Sequence, residues 1–181
     1  AYIGQTTVSN GATLALTGSG SIASSAGVLL NGGTLDIAGT SNGASVHLLA
    51  GNGNVTLGAE TLTLTNGNGT YFGVLSGTGG LTVTGGAQTL AGVQAYTGAT
   101  SIGNGGTLAL AGLGSIAASS GVANDGMLDI SATSNGASIR ALTGSGTVYL
   151  GAQDLTLTQA SGSFSGSIGG TGGVEIGAGT H

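Results

Sequence analysis

The sequence predicts an all-β fold, a right-handed parallel β-solenoid (β-helix) of about eight coils, and three observations carry that expectation. A long segment is said twice, its apolar residues alternate with polar ones, and Asn-Gly and other Gly-containing turns punctuate the alternating stretches.

The repetition is plainest between residues 2–16, YIGQTTVSNGATLAL, and residues 96–110, YTGATSIGNGGTLAL, which lie 94 positions apart. Residues 1–28 align with 95–122 at that offset, and 35–88 align with 128–181 at an offset of 93. Only TLAGVQ, residues 89–94, lies between the copies. The chain therefore reads as one solenoid segment, 1–181, built of two super-repeats, 1–88 and 95–181, joined by 89–94.

Within each copy the apolar residues come in pairs one residue apart: Leu14/Leu16, Leu35/Ile37, Val55/Leu57, Leu62/Leu64, Leu81/Val83 and Leu108/Leu110. That is the two-residue period of a strand with one buried face. A chain this rich in Gly, Thr and Ser, with no sustained three-and-four spacing, does not read as helix. Asn-Gly at 10–11, 31–32, 42–43, 66–67, 104–105 and 135–136 marks corners, since both residues tolerate positive φ. Such turns also suit hairpins, but from Leu14 the strand pairs recur at steps of 21, 20, 26 and 27 residues, with the pair at Leu62 read as a second strand on one coil. Coils of that length fit a solenoid, four to a super-repeat, with a body roughly 40 Å long at ~4.8 Å per stacked strand. One coil has no core and several stacked coils have a continuous one, which is why such a sequence must repeat.

Composition sets the boundaries of function. Gly supplies 41 of 181 positions, charged residues only 4 % and apolar residues 39 %, so the chain buries surface and folds, with Gly serving turns and close backbone approach. The net charge of −5 comes from six scattered acids, Asp36, Glu60, Asp125, Asp129, Asp154 and Glu175, against the single cation Arg140. With no basic patch, no nucleic acid is expected as partner. No apolar run is long enough to span a bilayer as a helix, and the absence of Cys excludes a disulfide scaffold. A start at Ala1 without an initiator Met or signal peptide is read as a piece of a longer protein or a processed product.

Residues 79–112, GGLTVTGGAQTLAGVQAYTGATSIGNGGTLALAG, resemble the passenger-associated repeat of bacterial autotransporters. The matching pieces are Gly79-Gly80-Leu81, Thr89-Leu90, Tyr96-Thr97-Gly98, Thr100 to Ile102, Asn104-Gly105 and Thr107-Leu108; the back half recurs at Tyr2 to Leu16 and the front half begins again at Gly172-Gly173-Val174. Where the family often has Lys after the Leu of Gly-Gly-Leu, this chain has Thr82 and Glu175. The resemblance implies a β-helical passenger, secreted or held at the cell surface of a Gram-negative bacterium after export through a C-terminal barrel in the outer membrane, and often acting as an adhesin.

No residue forms a recognisable catalytic, cofactor-binding or metal set, so catalytic, cofactor and metal residues are all expected to be none. His47 and His181 are the only imidazoles, and Arg140 occupies the repeat position of His47. Asp36, Asp129, Asp154 and Glu175 are the acids a polysaccharide-active enzyme would need, but one Arg and no Lys leave little to hold an anionic sugar. The Thr-x-Thr pairs 63/65, 82/84 and 156/158 resemble elements of an ice-binding array, which Ala15/Thr17, Asp36/Ala38 and Thr56/Gly58 on neighbouring coils are expected to interrupt. Tyr2, Tyr71, Tyr96 and Phe164, at equivalent positions between copies, are expected to close the ends of the core.

These readings converge on a non-enzymatic extracellular structural or adhesive segment whose partners are a host or bacterial surface. The alternative is a fibre subunit stacking end to end on itself: Gln88 is equivalent to His181 and Ala95 to Ala1, so a head-to-tail neighbour resumes the repeat after a six-residue gap.

Overall fold

In the computed structural model, which describes residues 2–180, the chain winds through nine turns of parallel β-structure with no helix among the described residues. The first turn holds β1 (Gln5–Ser9) and β2 (Thr13–Gly18). Four three-strand turns follow: β3 (Gly27–Asn31), β4 (Thr34–Thr40), β5 (Ala44–Val46); β6 (Leu49–Gly51), β7 (Asn54–Gly58), β8 (Leu62–Leu64); β9 (Thr70–Tyr71), β10 (Val74–Gly77), β11 (Leu81–Val83); and β12 (Gly86–Leu90), β13 (Ala95–Tyr96), β14 (Thr100–Ile102). The sixth turn has β15 (Gly106–Gly112) and β16 (Val122–Asn124), the seventh β17 (Met127–Thr133), β18 (Ala137–Ile139) and β19 (Leu142–Thr143). The last two have β20 (Thr147–Gly151) with β21 (Leu155–Leu157), and β22 (Ser167–Gly170) with β23 (Val174–Ile176).

Successive turns stack into three faces. The first is a nine-stranded sheet, β1-β3-β6-β9-β12-β15-β17-β20-β22. The second runs β2-β4-β7-β10-β13, skips the sixth turn, and resumes as β18-β21-β23. The third is β5-β8-β11-β14-β16-β19. First-face strands begin at Gln5 and, eight steps later, at Ser167, so a turn takes 162/8 or about 20 residues.

This is a parallel β-solenoid as expected, but its pitch corrects the coil count from about eight to nine. The steps of 26 and 27 residues compare pairs on different faces: Val55 lies on the second, Leu81 on the third and Leu108 on the first. With about 20 residues per turn, the 94-residue super-repeat is not a whole number of turns. β1 on the first face of turn one corresponds to β14 on the third face of turn five, and β5 on the third face corresponds to β18 on the second. Each copy therefore covers four turns and two further faces, and the second copy presents its strands rotated by one face. Asp36 and Asp129 share a repeat position but lie on the second and first faces. The equivalences of Ala1 and His181 fall outside the described residues.

The core consists of side-chain columns in register. Leu14, Leu35, Val55 and Leu75 stack on the second face, Leu62, Leu81, Thr100 and Val122 on the third, and Gln88, Leu108, Leu128 and Val148 on the first. Most of these side chains have no exposed surface at all. Burying a Leu contributes about 1.5–3 kcal/mol, and every pair of named strands is parallel, so each turn gains this only against the turn before and after it. Where strands meet at corners, backbone passes so close that only Gly fits: a Cβ on Gly73 would stand 1.8 Å from the Gly53 carbonyl oxygen.

Three buried amides occupy the columns alongside the aliphatic residues. On the first face β9 has only two residues, leaving Leu49 of β6 without a full partner strand. Gln88 reaches across from β12: its Nε2 donates to Leu49 O at 2.8 Å and to Gly69 O at 3.0 Å, and its Oε1 accepts from Leu49 N–H at 3.2 Å. The side-chain amide stands in for the missing peptide group. Gln94 does the same below β10, accepting from Leu75 N–H at 2.8 Å and donating to Gly92 O at 2.7 Å. Asn124 donates to Thr147 O at 2.8 Å, while its Oδ1 has no partner.

Two expectations follow for unfolding in urea. Leu81→Ala is expected to cost about 2–5 kcal/mol, whereas Leu113→Ala, at a side chain 69 % exposed, should stay within about 0.5 kcal/mol of wild type. Gln88→Ala should cost about 1–3 kcal/mol, because Leu49 loses its only partner on that side; an unchanged midpoint would show that water replaces the amide.

Candidate functional site

The side chains singled out from the sequence are dispersed around the solenoid. His47 follows β5 on the third face and Arg140 follows β18 on the second, the same repeat position turned to a different side. Arg140 donates from Nε to Gln159 Oε1 at 3.1 Å. Among the described residues no three His, Cys, Asp or Glu come together.

Four of the six carboxylates serve the backbone. Asp36 and Asp129 each precede a β-bulge, in β4 and β17, and accept the N–H of the bulged residue, Ala38 and Ser131, at 2.9 Å. Asp125 Oδ1 accepts from Ser145 N–H at 3.0 Å, and Asp154 Oδ1 from Gly173 N–H at 2.6 Å. Of the acids considered for polysaccharide chemistry, Asp36, Asp129 and Asp154 are engaged by backbone N–H groups, while Glu175 lies on β23, one turn on from Asp154.

The Thr pairs are arranged differently from expectation. Ala15, Asp36 and Thr56 belong to the second face, so they do not interrupt the third, where Ser45, Thr63, Thr82, Ser101, Ala123 and Thr143 stack in register. Ala123 makes the break. The flanking hydroxyls of Thr65 and Thr84 turn back onto the carbonyls of Val46 and Leu64 one turn away.

The aromatic residues also divide. Tyr71 and Tyr96 are fully buried and Phe164 partly, while Tyr2 is half exposed, so the pair at 71 and 96 lies within the core rather than at its ends. Tyr71 donates to Gly53 O at 2.7 Å, and burial raises its pKa well above the ordinary tyrosine range. Tyr96 shares a 2.6 Å hydrogen bond with Thr100 Oγ1, which donates to Ser119 Oγ at 2.9 Å, and Ser119 donates on to Gly98 O. Tyr2, Thr6, Ser25 and Gly4 O form the same chain in the first copy. Burial pushes the Tyr96 pKa up to about 12, against a lowering from the Thr100 hydrogen bond.

These hydroxyl chains contain no base to take a proton, and their effect is positional. Ser25 and Ser119 belong to loops that replace a strand, residues 19–26 on the third face of turn one and 113–121 on the second face of turn six. The chains tie each loop to the turn before it, together with Ala26 N–H to Gly4 O and Ser120 N–H to Gly98 O, each at 3.1 Å. Toward the turn after it, each loop bonds only at its two ends. Ser41 N–H donates to Gly18 O and Val28 N–H to Leu48 O; in the second copy Ser134 N–H donates to Gly112 O and Val122 N–H to Ala141 O.

Between those end bonds the wall of the solenoid opens into a slot. The first, about 260 Å³, lies between Gly18–Ala23 and Asn42–Ser45; the second, about 230 Å³, lies between Gly112–Ala117 and Asn135–Ser138. They are the same slot twice: Gly18, Gly20, Ser21, Ala23 and Asn42 to Ser45 recur as Gly112, Gly114, Ser115, Ala117 and Asn135 to Ser138, with Ser19 against Leu113 as the one change among these lining residues. Ile22 and Ile116 turn inward beneath each loop and are buried, which keeps the core closed under the opening.

No family model, curated protein or solved structure matches the chain. Its function is therefore to be sought in the slots and the faces themselves.

Sequence reasoning did not single out Ser25, Ser119, Thr100, Gln88 or Gln94. The available signal was that Ser25 and Ser119 recur at one repeat position; a Gln within an apolar alternation, as at Gln88 and Leu90, offers only a weak one.

Alkaline unfolding tests the buried tyrosine. Tyr96 ionises near pH 10 in the unfolded chain and near 12 when folded, so above pH 10 the unfolded state releases the proton first. Tm is expected to hold up to about pH 10 and to fall between about 10 and 12 in step with tyrosinate absorbance, with a shallower fall in Tyr96→Phe. Ser119→Ala should lower stability by about 1–3 kcal/mol by stripping the buried partner from Thr100 and Gly98; proteolysis confined to 113–121 would report the freed loop.

Proposed function

We propose that this chain is a non-enzymatic segment of an exported surface protein, an autotransporter-like passenger region whose work is reach, rigidity and display at the outside of a Gram-negative cell. The observation that carries the reading is the in-register stack of nine parallel turns, a body about 38 Å long at ~4.8 Å per step, whose outward side chains are mostly small and neutral. Its carboxylates support the non-enzymatic part, since four of six already accept hydrogen bonds from backbone N–H groups. The resemblance of residues 79–112 to the passenger-associated repeat supports export and surface location.

A second reading, a fibre subunit that stacks end to end on itself, rests on the ninth turn. Ile168, Val174 and Ile176 are 39 %, 44 % and 49 % exposed there, while their partners one turn back, Val148, Leu155 and Leu157, are buried. A tenth turn, from further chain or from a second copy, would cover them.

Two measurements separate the readings. Small-angle scattering and sedimentation of the purified chain are expected to give an elongated monomer, and beads coated with it should retain host or bacterial cells above an uncoated control. Cell-free beads would remove the adhesive role, and concentration-dependent growth into filaments, lost in Ile176→Asp, would favour the fibre.

A further inference from the structure

The twin slots remain after the core and the turns are accounted for, and their chemistry is legible. In a parallel ladder, successive residues address opposite neighbours. Ala44 donates to Thr61 O at 3.1 Å and Val46 accepts from Thr65 N–H at 3.0 Å, so both address β8. Ser45, between them, points its N–H and C=O away from β8, into the slot. β5 is the end strand of its sheet, and no strand lies beyond it. The second copy repeats the arrangement: Ala137 N–H to Asp154 O at 2.9 Å and Thr158 N–H to Ile139 O at 2.9 Å leave Ser138 of β18, also an end strand, facing its own slot.

Each slot is thus the place of a strand the solenoid omits, with a free donor and acceptor in its floor and the loop held back toward the preceding turn. Open strand edges are normally paired, covered or blunted with charge, and here an identical opening is kept in both copies. A second feature is shared. His47 and Arg140 are the only basic side chains among the described residues, and each lies two positions beyond the slot serine on the same outward side, roughly 6–7 Å along the strand.

We propose that each slot binds a short extended peptide with an acidic residue, which adds to the edge of β5 or β18 as the missing strand. Backbone pairing to Ser45 or Ser138 supplies the affinity, as in other strand additions. The lining is mostly Gly, Ala, Ser and Asn, with Thr63 in the first slot and Leu113 in the second, and the acidic residue is placed to meet His47 beyond one slot and, beyond the other, Arg140 once it turns from Gln159. The one-face rotation between copies aims the two sites at different sides of the rod, so one chain would bridge two partners. This inference does not depend on export or on adhesion to cells.

The test is amide exchange by NMR on the labelled chain with the blocked probe acetyl-Ser-Ala-Ser-Ala-Asp-amide. The Ser45 and Ser138 amides are expected to exchange freely alone and at least tenfold more slowly with the probe, and a backbone N-methylated probe should protect neither. Proline is tolerated at an edge whose N–H faces outward, so Ser45→Pro and Ser138→Pro should each silence one slot. Ser45→Ala should bind as wild type, which decides the matter if the proline variants fail to fold. Arg140→Gln should weaken the second slot about fivefold and spare the first. Protection at neither serine would overturn the proposal, as would protection only along the Ser167–Gly170 edge. Loss of binding in Ser45→Ala, or maltotriose shifting the slot signals where the peptide does not, would overturn it in favour of side-chain recognition of a neutral sugar.

Discussion

Everything in this structure depends on the backbone hydrogen bonds that join each turn to the next. A single turn of about 20 residues has two or three short strands and no interior of its own. Stacked in parallel register, the same turn places Leu over Leu, as at Leu62 and Leu81, and closes a dry column. The register also explains what the chain avoids. Charges at equivalent positions would stack near 4.8 Å apart, so acids appear singly, and two of them are spent on bulges where the ladder slips by one residue.

Where the ladder is incomplete, side chains finish it or anchor what remains. Gln88 and Gln94 present an amide to a backbone that lost its neighbouring strand, and each is almost wholly buried. The Tyr96–Thr100–Ser119 chain acts in the opposite sense, tying a loop to the turn behind it and so leaving the turn ahead unpaired. An amide closes a gap, and the hydroxyl chain keeps one open. The slots thus differ from the gap beside the shortened β9, which one glutamine completes.

The mismatch between repeat and pitch has a consequence for display. A super-repeat spanning a whole number of turns would place duplicated features one above the other on a single face. This one spans four turns and two faces, so His47 and Arg140, and the slots beside them, face different directions. Duplication here multiplies directions of contact as well as copies.

The sequence alone determined the fold class, because period-two alternation and near-repeats report directly on which residues share a buried face: Leu35/Ile37, Leu62/Leu64 and Leu108/Leu110 all lie in the core as the pattern requires. It also established that two copies exist and that Ser41 to Ser45 recurs as Ser134 to Ser138. Which face each strand occupies was decided only by the tertiary structure. Alternation marks in from out but carries no label for first, second or third side, so Leu81 and Leu108 looked like one position on successive coils when they lie on different faces. The same ambiguity misplaced the neighbours of Thr63 and Thr82. The slots were illegible for a related reason: a loop with a buried Ile22 or Ile116 reads like any other turn, and only the pairing of the flanking strands shows that the donors of Ser45 and Ser138 are left unspent.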